Sequence, residues 1–115
     1  MTTNDPFSAT RRTGLKLTTE WLNASVVRIT AEGEIDASNS AEVLEYVFRR
    51  AANCKSMILD LRDVNFFATA GFSTLQNIDI RSSDAGVSWM VVPSSAVSRV
   101  LSVCDPQRSL PRGIA

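Results

Sequence analysis

The chain has 115 residues, with 12 Lys+Arg against 12 Asp+Glu and hence no net formal charge. That length supports one hydrophobic core, and the balanced charge, with no basic run, argues against nucleic acid or an anionic membrane as a partner. Histidine is absent, which removes the commonest general base and metal ligand together. The two cysteines, Cys54 and Cys104, fall outside any metal-site spacing, so no catalytic residue, cofactor or metal is assigned. No apolar stretch approaches the roughly 20 residues of a membrane span. The segment "MTTNDPFSATRRTG" lacks the apolar core of a signal peptide, and a cytoplasmic protein is expected.

Residues 1–13 are polar, contain Pro6 and show no periodicity, which predicts a flexible arm before a domain over 14–105. "LKLTTEWL" (15–22) and "SVVRITAEGEI" (25–35) alternate as strands joined by a turn at Asn23-Ala24, a hairpin. Asn39 and Glu42 then have capping-box spacing, and Val43, Leu44, Val47, Phe48 and Ala51 form a helical stripe. "KSMILDL" (55–61) is a short strand whose apolar run implies cover on both faces; Asp60, Arg62 and Asp63 read as a solvated turn. A second helix follows Gly71, with Phe72, Leu75 and Ile78 inward and Gly86 as its stop. "VSWMVV" (87–92) is another buried strand. Ser94 or Ser95 caps a third helix with Val97, Val100, Leu101 and Cys104 on one face, closed by Asp105-Pro106. Residues 106–115 form a short irregular tail. The order ββαβαβα implies an α/β fold: a mixed sheet, mostly parallel with an N-terminal hairpin, and helices packed against it. Function in such sheets gathers beyond the carboxyl ends of the parallel strands, here the loops "GEIDASN" and "NFFATAG".

"GEID" (33–36), "LDLRDVNFF" (59–67), "ATAGFSTL" (68–75) and "SSAVSRVLSVC" (94–104), in this order, resemble the STAS domain and, more narrowly, bacterial anti-sigma factor antagonists. The resemblance covers Leu15 to Cys104. It implies a STAS-like sheet and a regulator of transcription that binds an anti-sigma factor, a kinase of the histidine-kinase-like ATPase fold, and so releases a sigma factor. In that family the kinase phosphorylates a serine directly after a motif aspartate. The matching positions here are Thr69 for the serine, Ala68 for the aspartate, Ala70 for the second hydroxyl and Gly71 for the glycine; Ser73 replaces a second glycine. Thr69 is therefore the phosphoacceptor candidate, and the partner surface comprises Asp36, Ala68, Thr69, Ala70, Gly71 and Phe72, with Gln76 and Asp79 on the outer side of the second helix. The family pattern also continues past the third helix with a strand and a helix that "DPQRSLPRGIA" is too short to supply. Either that sheet edge is incomplete or a partner covers it.

Other readings stand beside these. Threonine is a good N-cap, and Thr69 can serve only that purpose; Gly71 can serve only a tight junction, and Asp36 only a turn. Some STAS proteins are instead small subunits bound to the ATPase of a lipid-exporting ABC transporter, and these also present a threonine on this loop. An enzyme would need a nucleophile with an activating base, which a chain without histidine, and with Ala68 at the carboxylate position, does not offer. Cys104, on the helical stripe, is expected to be buried and Cys54 the more accessible; a disulfide would need their Cα atoms within about 7 Å.

Overall fold

A computed structural model describes the backbone of residues 7–12 and all of residues 14–113. Eight elements follow in chain order: β1 (Phe7–Arg12), β2 (Leu15–Trp21), β3 (Val26–Ile35), α1 (Ser40–Arg50), β4 (Ser56–Phe67), α2 (Thr69–Ala85), β5 (Ser88–Pro93) and α3 (Ser95–Cys104). They form a five-stranded sheet in sequential order, β1-β2-β3-β4-β5. The first two pairings are antiparallel and the last two parallel. The expected mixed sheet is thus present, with one strand more. Phe7–Arg12, expected within a flexible arm, pairs along its whole length with β2; positions 1–6 and 13 lie outside the described residues. Among the described residues no helix is long and apolar enough to cross a membrane.

Alternation decides which side of the sheet is dry. Leu15, Leu17 and Thr19 of β2, Val27, Ile29 and Ala31 of β3, Met57, Leu59 and Leu61 of β4, and Val91 of β5 are buried on one face. Val43 and Val47 of α1, Leu75 and Ile78 of α2, and Val97 and Leu101 of α3 close over them in a single core. Side chains of this size each contribute roughly 1.5–3 kcal/mol when fully buried. Tyr46, absent from the predicted stripe, is 1 % exposed. Its ring can be buried because its hydroxyl shares a 2.7 Å hydrogen bond with Thr19, satisfying both polar tips.

Among the described residues the opposite face carries no helix, contrary to the cover expected from the apolar run in β4. Arg28, Ile58 and Met90 lie in one row across it and are all half-buried. Asp60 and Arg62, expected in a turn, belong to this face, because β4 continues as a strand to Phe67. Register shifts between Thr30 and Glu32 and between Gly33 and Glu34 let the polar end of β4 follow β3. Asp60 is 5 % exposed and accepts from Arg62 Nε at 3.0 Å and Nη2 at 2.7 Å. That fork, with the Arg62 amide as a further donor, holds the Asp60 carboxyl below its usual range.

The tail returns to the edge of the sheet at one point of β5. Arg112 forms a parallel bridge with Val91, through Val91 N–H to Pro111 O and Gly113 N–H to Val91 O, at 2.9 and 2.8 Å. Leu110 joins the core. Asp105 folds the tail back. Its Oδ1 accepts from Ser109 N and Oγ at 2.9 and 2.6 Å, and its Oδ2 accepts from Leu110 N at 3.1 Å and Arg112 Nη2 at 2.8 Å.

Candidate functional site

The two loops singled out in the sequence meet at the carboxyl ends of β3 and β4. Ile35 pairs with Phe67 at the last rung of the ladder. Ala68 N–H then donates to Ile35 O at 2.9 Å, so the Thr69 loop is tied to the strand end that carries Asp36. Farther along, Thr74 Oγ1 donates to Ser40 O at 3.0 Å, joining α2 to the start of α1.

Gly33, the first residue of "GEID", has φ +114°. A Cβ there would lie 2.1 Å from Gly14 O, where the chain entering β2 passes and Glu34 N–H donates to that same oxygen at 2.7 Å. Only glycine fits a positive φ with backbone this close. Asp36 accepts from Ser38 N at 2.9 Å and Ser38 Oγ at 2.6 Å, an Asx turn. The Ser38 hydroxyl, then its amide, hold the Asp36 carboxyl below its ordinary range. The turn reading of Asp36 is therefore realised, at a half-buried position.

Asn39 occupies the N-cap position of α1 but makes no side-chain cap bond, so the expected capping box does not form. Its amide is spent across the loop instead. Oδ1 accepts from Asp36 N at 3.0 Å and Nδ2 donates to Glu34 O at 2.9 Å, which fixes the backbone around Asp36. Spacing alone gave Asn39 the wrong partner, and its 5 % exposure marks it as a brace for the loop.

The junction between β4 and α2 differs from its sequence reading in a way that bears on Thr69. The helix begins at Thr69 and its N-cap is Ala68, extended at φ −88°, ψ 168° and without a side-chain cap bond. Thr69 is therefore the first helical residue, not the cap. It is exposed, and no acidic residue lies in the first turn of α2. The positive dipole end of a 17-residue helix lies there without a first-turn carboxylate to offset it. Gly71 is required by a close approach: a Cβ would meet the Phe67 ring at 2.5 Å. Ala70 and Phe72 are half-buried, Phe72 against the core.

The helix body corrects one further assignment. Gln76 is exposed as expected, but Asp79 faces β5, where its Oδ1 accepts from Trp89 Nε1 at 2.9 Å. A buried indole needs an acceptor, and Asp79 is committed to it. The cysteine assignments are reversed. Cys54 is 7 % exposed, and burial pushes its thiol pKa up; Cys104, at the last turn of α3, is only half-buried. The two are free thiols and line different cavities. Among the described residues no group of three or more Cys, Asp or Glu is placed to hold a metal ion.

The family model for the STAS domain matches residues 22–111. Osmosensory protein A of Mycobacterium tuberculosis (strain ATCC 25618 / H37Rv) is 41 % identical over 69 residues, 60 % of this chain and 44 % of that protein. The chain thus spans less than half of that relative's length. Among solved structures, an anti-sigma factor antagonist from Mycobacterium paratuberculosis superposes with a TM-score of 0.75 at 18 % identity, over 85 % of this chain and 84 % of the other. The anti-sigma factor antagonist SpoIIAA in its unphosphorylated form gives a TM-score of 0.65 at 15 % identity, over 84 % and 87 %. At these identities the two structures establish a shared fold.

Proposed function

Because the chain belongs to the STAS domain family, we propose that it acts in the cytoplasm as an anti-sigma factor antagonist, a binding protein that is its partner's substrate and not itself an enzyme. The observation that carries this reading is the exposed Thr69 at the start of α2, bound through Ala68 to the strand end bearing Asp36. The partner is an anti-sigma factor of the histidine-kinase-like ATPase fold. It docks on the Asp36 and Thr69 loops and on the outer face of α2 at Gln76; Asp79 supports that face from behind. Phosphate on Thr69 would add about −1.5 to −2 charges at neutral pH to this surface. The positive end of α2 receives such a dianion well, so the modified loop remains folded while the docking face becomes more negative.

The test is calorimetric titration of the chain with anti-sigma ATPases from the same genome, followed by incubation with ATP and magnesium and intact-mass analysis. A stoichiometric complex is expected, weakened at least about tenfold, or roughly 1.4 kcal/mol, by Thr69→Glu and by Asp36→Arg with the fold retained. Labelling of Thr69 is expected to be slow, because Ala68 supplies no carboxylate, and faster in Ala68→Asp. Wild-type affinity in both surface variants would show that this face is not the docking site. A complex with a transporter ATPase in place of an anti-sigma factor would assign the chain to the transporter-bound class of STAS subunits.

A further inference from the structure

Beside Thr69 lies an apolar groove of about 620 Å³ between the end of β4 and α3. Its walls include Phe66, Val100, Val103 and Cys104, and its rim carries Thr69 and Arg99. Two of these side chains are costly to leave in water: Phe66 is 51 % exposed and Val103 78 %. No acidic residue lines the groove. Arg99 is its one charged side chain, and among the described residues that guanidinium has no ion pair.

We propose that this groove is a binding site for a small amphiphilic anion, an acyl chain ending in a carboxylate, with the chain along α3 and the carboxylate on Arg99. The volume lies within the roughly 300–1,000 Å³ of small-ligand sites. Ala96 and Cys104 both line it, so it runs for about 12 Å at the helical rise of 1.5 Å per residue, room for an extended medium-length chain. A lone unneutralised cation above an aromatic and aliphatic wall selects an apolar anion over an apolar cation. A ligand seated there would touch Thr69, and so would lie against the proposed docking loop.

Titration of the full chain with sodium decanoate, below its micelle concentration, tests this by calorimetry and amide chemical shifts. One decanoate per chain is expected, with shifts at Phe66, Arg99 and Val103 and protection of Cys104 from alkylation. Decyltrimethylammonium, equal in chain length and opposite in charge, should bind roughly three- to tenfold more weakly. Arg99→Glu should weaken decanoate roughly three- to tenfold, and Val103→Asp or Phe66→Ser should abolish it. Ile80→Asp, at an exposed apolar residue of α2 outside the groove, should leave it unchanged. Absence of saturable decanoate binding, equal binding of the cationic amphiphile, or shifts confined to the open sheet face would each overturn the proposal. Loss of anti-sigma factor binding in Val103→Asp without any decanoate binding would overturn it too, and give the groove to a protein partner.

Discussion

Replacing Asp105 by Ala tests how the end of the chain is held, and its size follows from the bonds removed. The carboxylate is 5 % exposed and accepts from two backbone amides, one hydroxyl and one guanidinium. Truncation leaves Ser109 N, Leu110 N and Arg112 Nη2 without that acceptor, beside a guanidinium that is only 14 % exposed. Breaking a buried pair in this way costs about 3–5 kcal/mol. Asp105→Asn keeps an acceptor but loses the charge, and should cost about 1–3 kcal/mol, the worth of a charge-assisted bond. For a domain of this size each kcal/mol corresponds to roughly 4 °C or more in Tm, so Asp105→Ala should melt at least about 10 °C below wild type. Hydrogen exchange should locate the damage, since Val91 N–H and Gly113 N–H lose their partners when the tail lifts from β5.

The pH dependence has a definite sign. Burial opposes the Asp105 charge, but the bonds from Ser109, Leu110 and Arg112 outweigh it and hold the carboxyl well below the usual carboxylate range. A lowered folded-state pKa gives stability that is fully present above the unfolded value near 4 and is lost as pH falls toward the folded one. The difference between wild type and Asp105→Ala should therefore be constant from neutral pH to about pH 5 and shrink below about pH 4. A Tm within about 4 °C of wild type at pH 7, or unchanged exchange at Val91, would refute the latch.

Three further outcomes are expected. Gly71→Ala should destabilise by about 1–3 kcal/mol in urea unfolding, because the Phe67 ring occupies the space of the added methyl; a neutral result would mean that the ring moves freely. Ala68→Asp should raise stability by about 0.5–2 kcal/mol without any partner present, since position 68 is the uncapped N-cap of α2, and an unchanged urea midpoint would dispute that boundary. Mild alkylation followed by mass analysis should modify Cys104 first and Cys54 only on unfolding, because burial keeps the Cys54 thiol protonated and shielded; prior loss of Cys54 would contradict the packing around it.

The parts of the fold legible in the sequence were those set by periodicity. Val97 and Leu101 fall on the buried face of α3, Ser94 caps it through Val97 N at 3.2 Å, and Gly86 ends α2 in the left-handed region at φ 70°. What periodicity missed was settled by contacts between distant residues. Tyr46 enters the core only because Thr19, 27 positions away, meets its hydroxyl. β4 extends past Leu61 only because β3 shifts register beside it. Phe7–Arg12 is ordered by backbone pairing with β2, which its composition does not announce. The same holds at the site. Motif spacing singled out Asp36 and Thr69 as candidates, but not Asn39 as the brace of the Asp36 loop, nor Asp79 as the acceptor for Trp89.

These braces also constrain how a modification of Thr69 could be read by a partner. Ala68 is bonded to Ile35, Gly71 lies against the Phe67 ring, and Thr74 is bonded to Ser40. Asn39 meanwhile holds both Glu34 and Asp36 from the other loop. Moving the start of α2 would break several of these bonds at once, each worth about 0.5–1.5 kcal/mol, against a local gain of about 0.3–1 kcal/mol for a charge at an exposed helix terminus. The costs exceed the gain, so a phosphate would not remodel the junction. It would leave the fold in place and act through its charge and volume on an otherwise unchanged surface. That is why Thr69→Glu should alter affinity while Tm rises by only a few degrees and the amide spectrum beyond the loop stays the same.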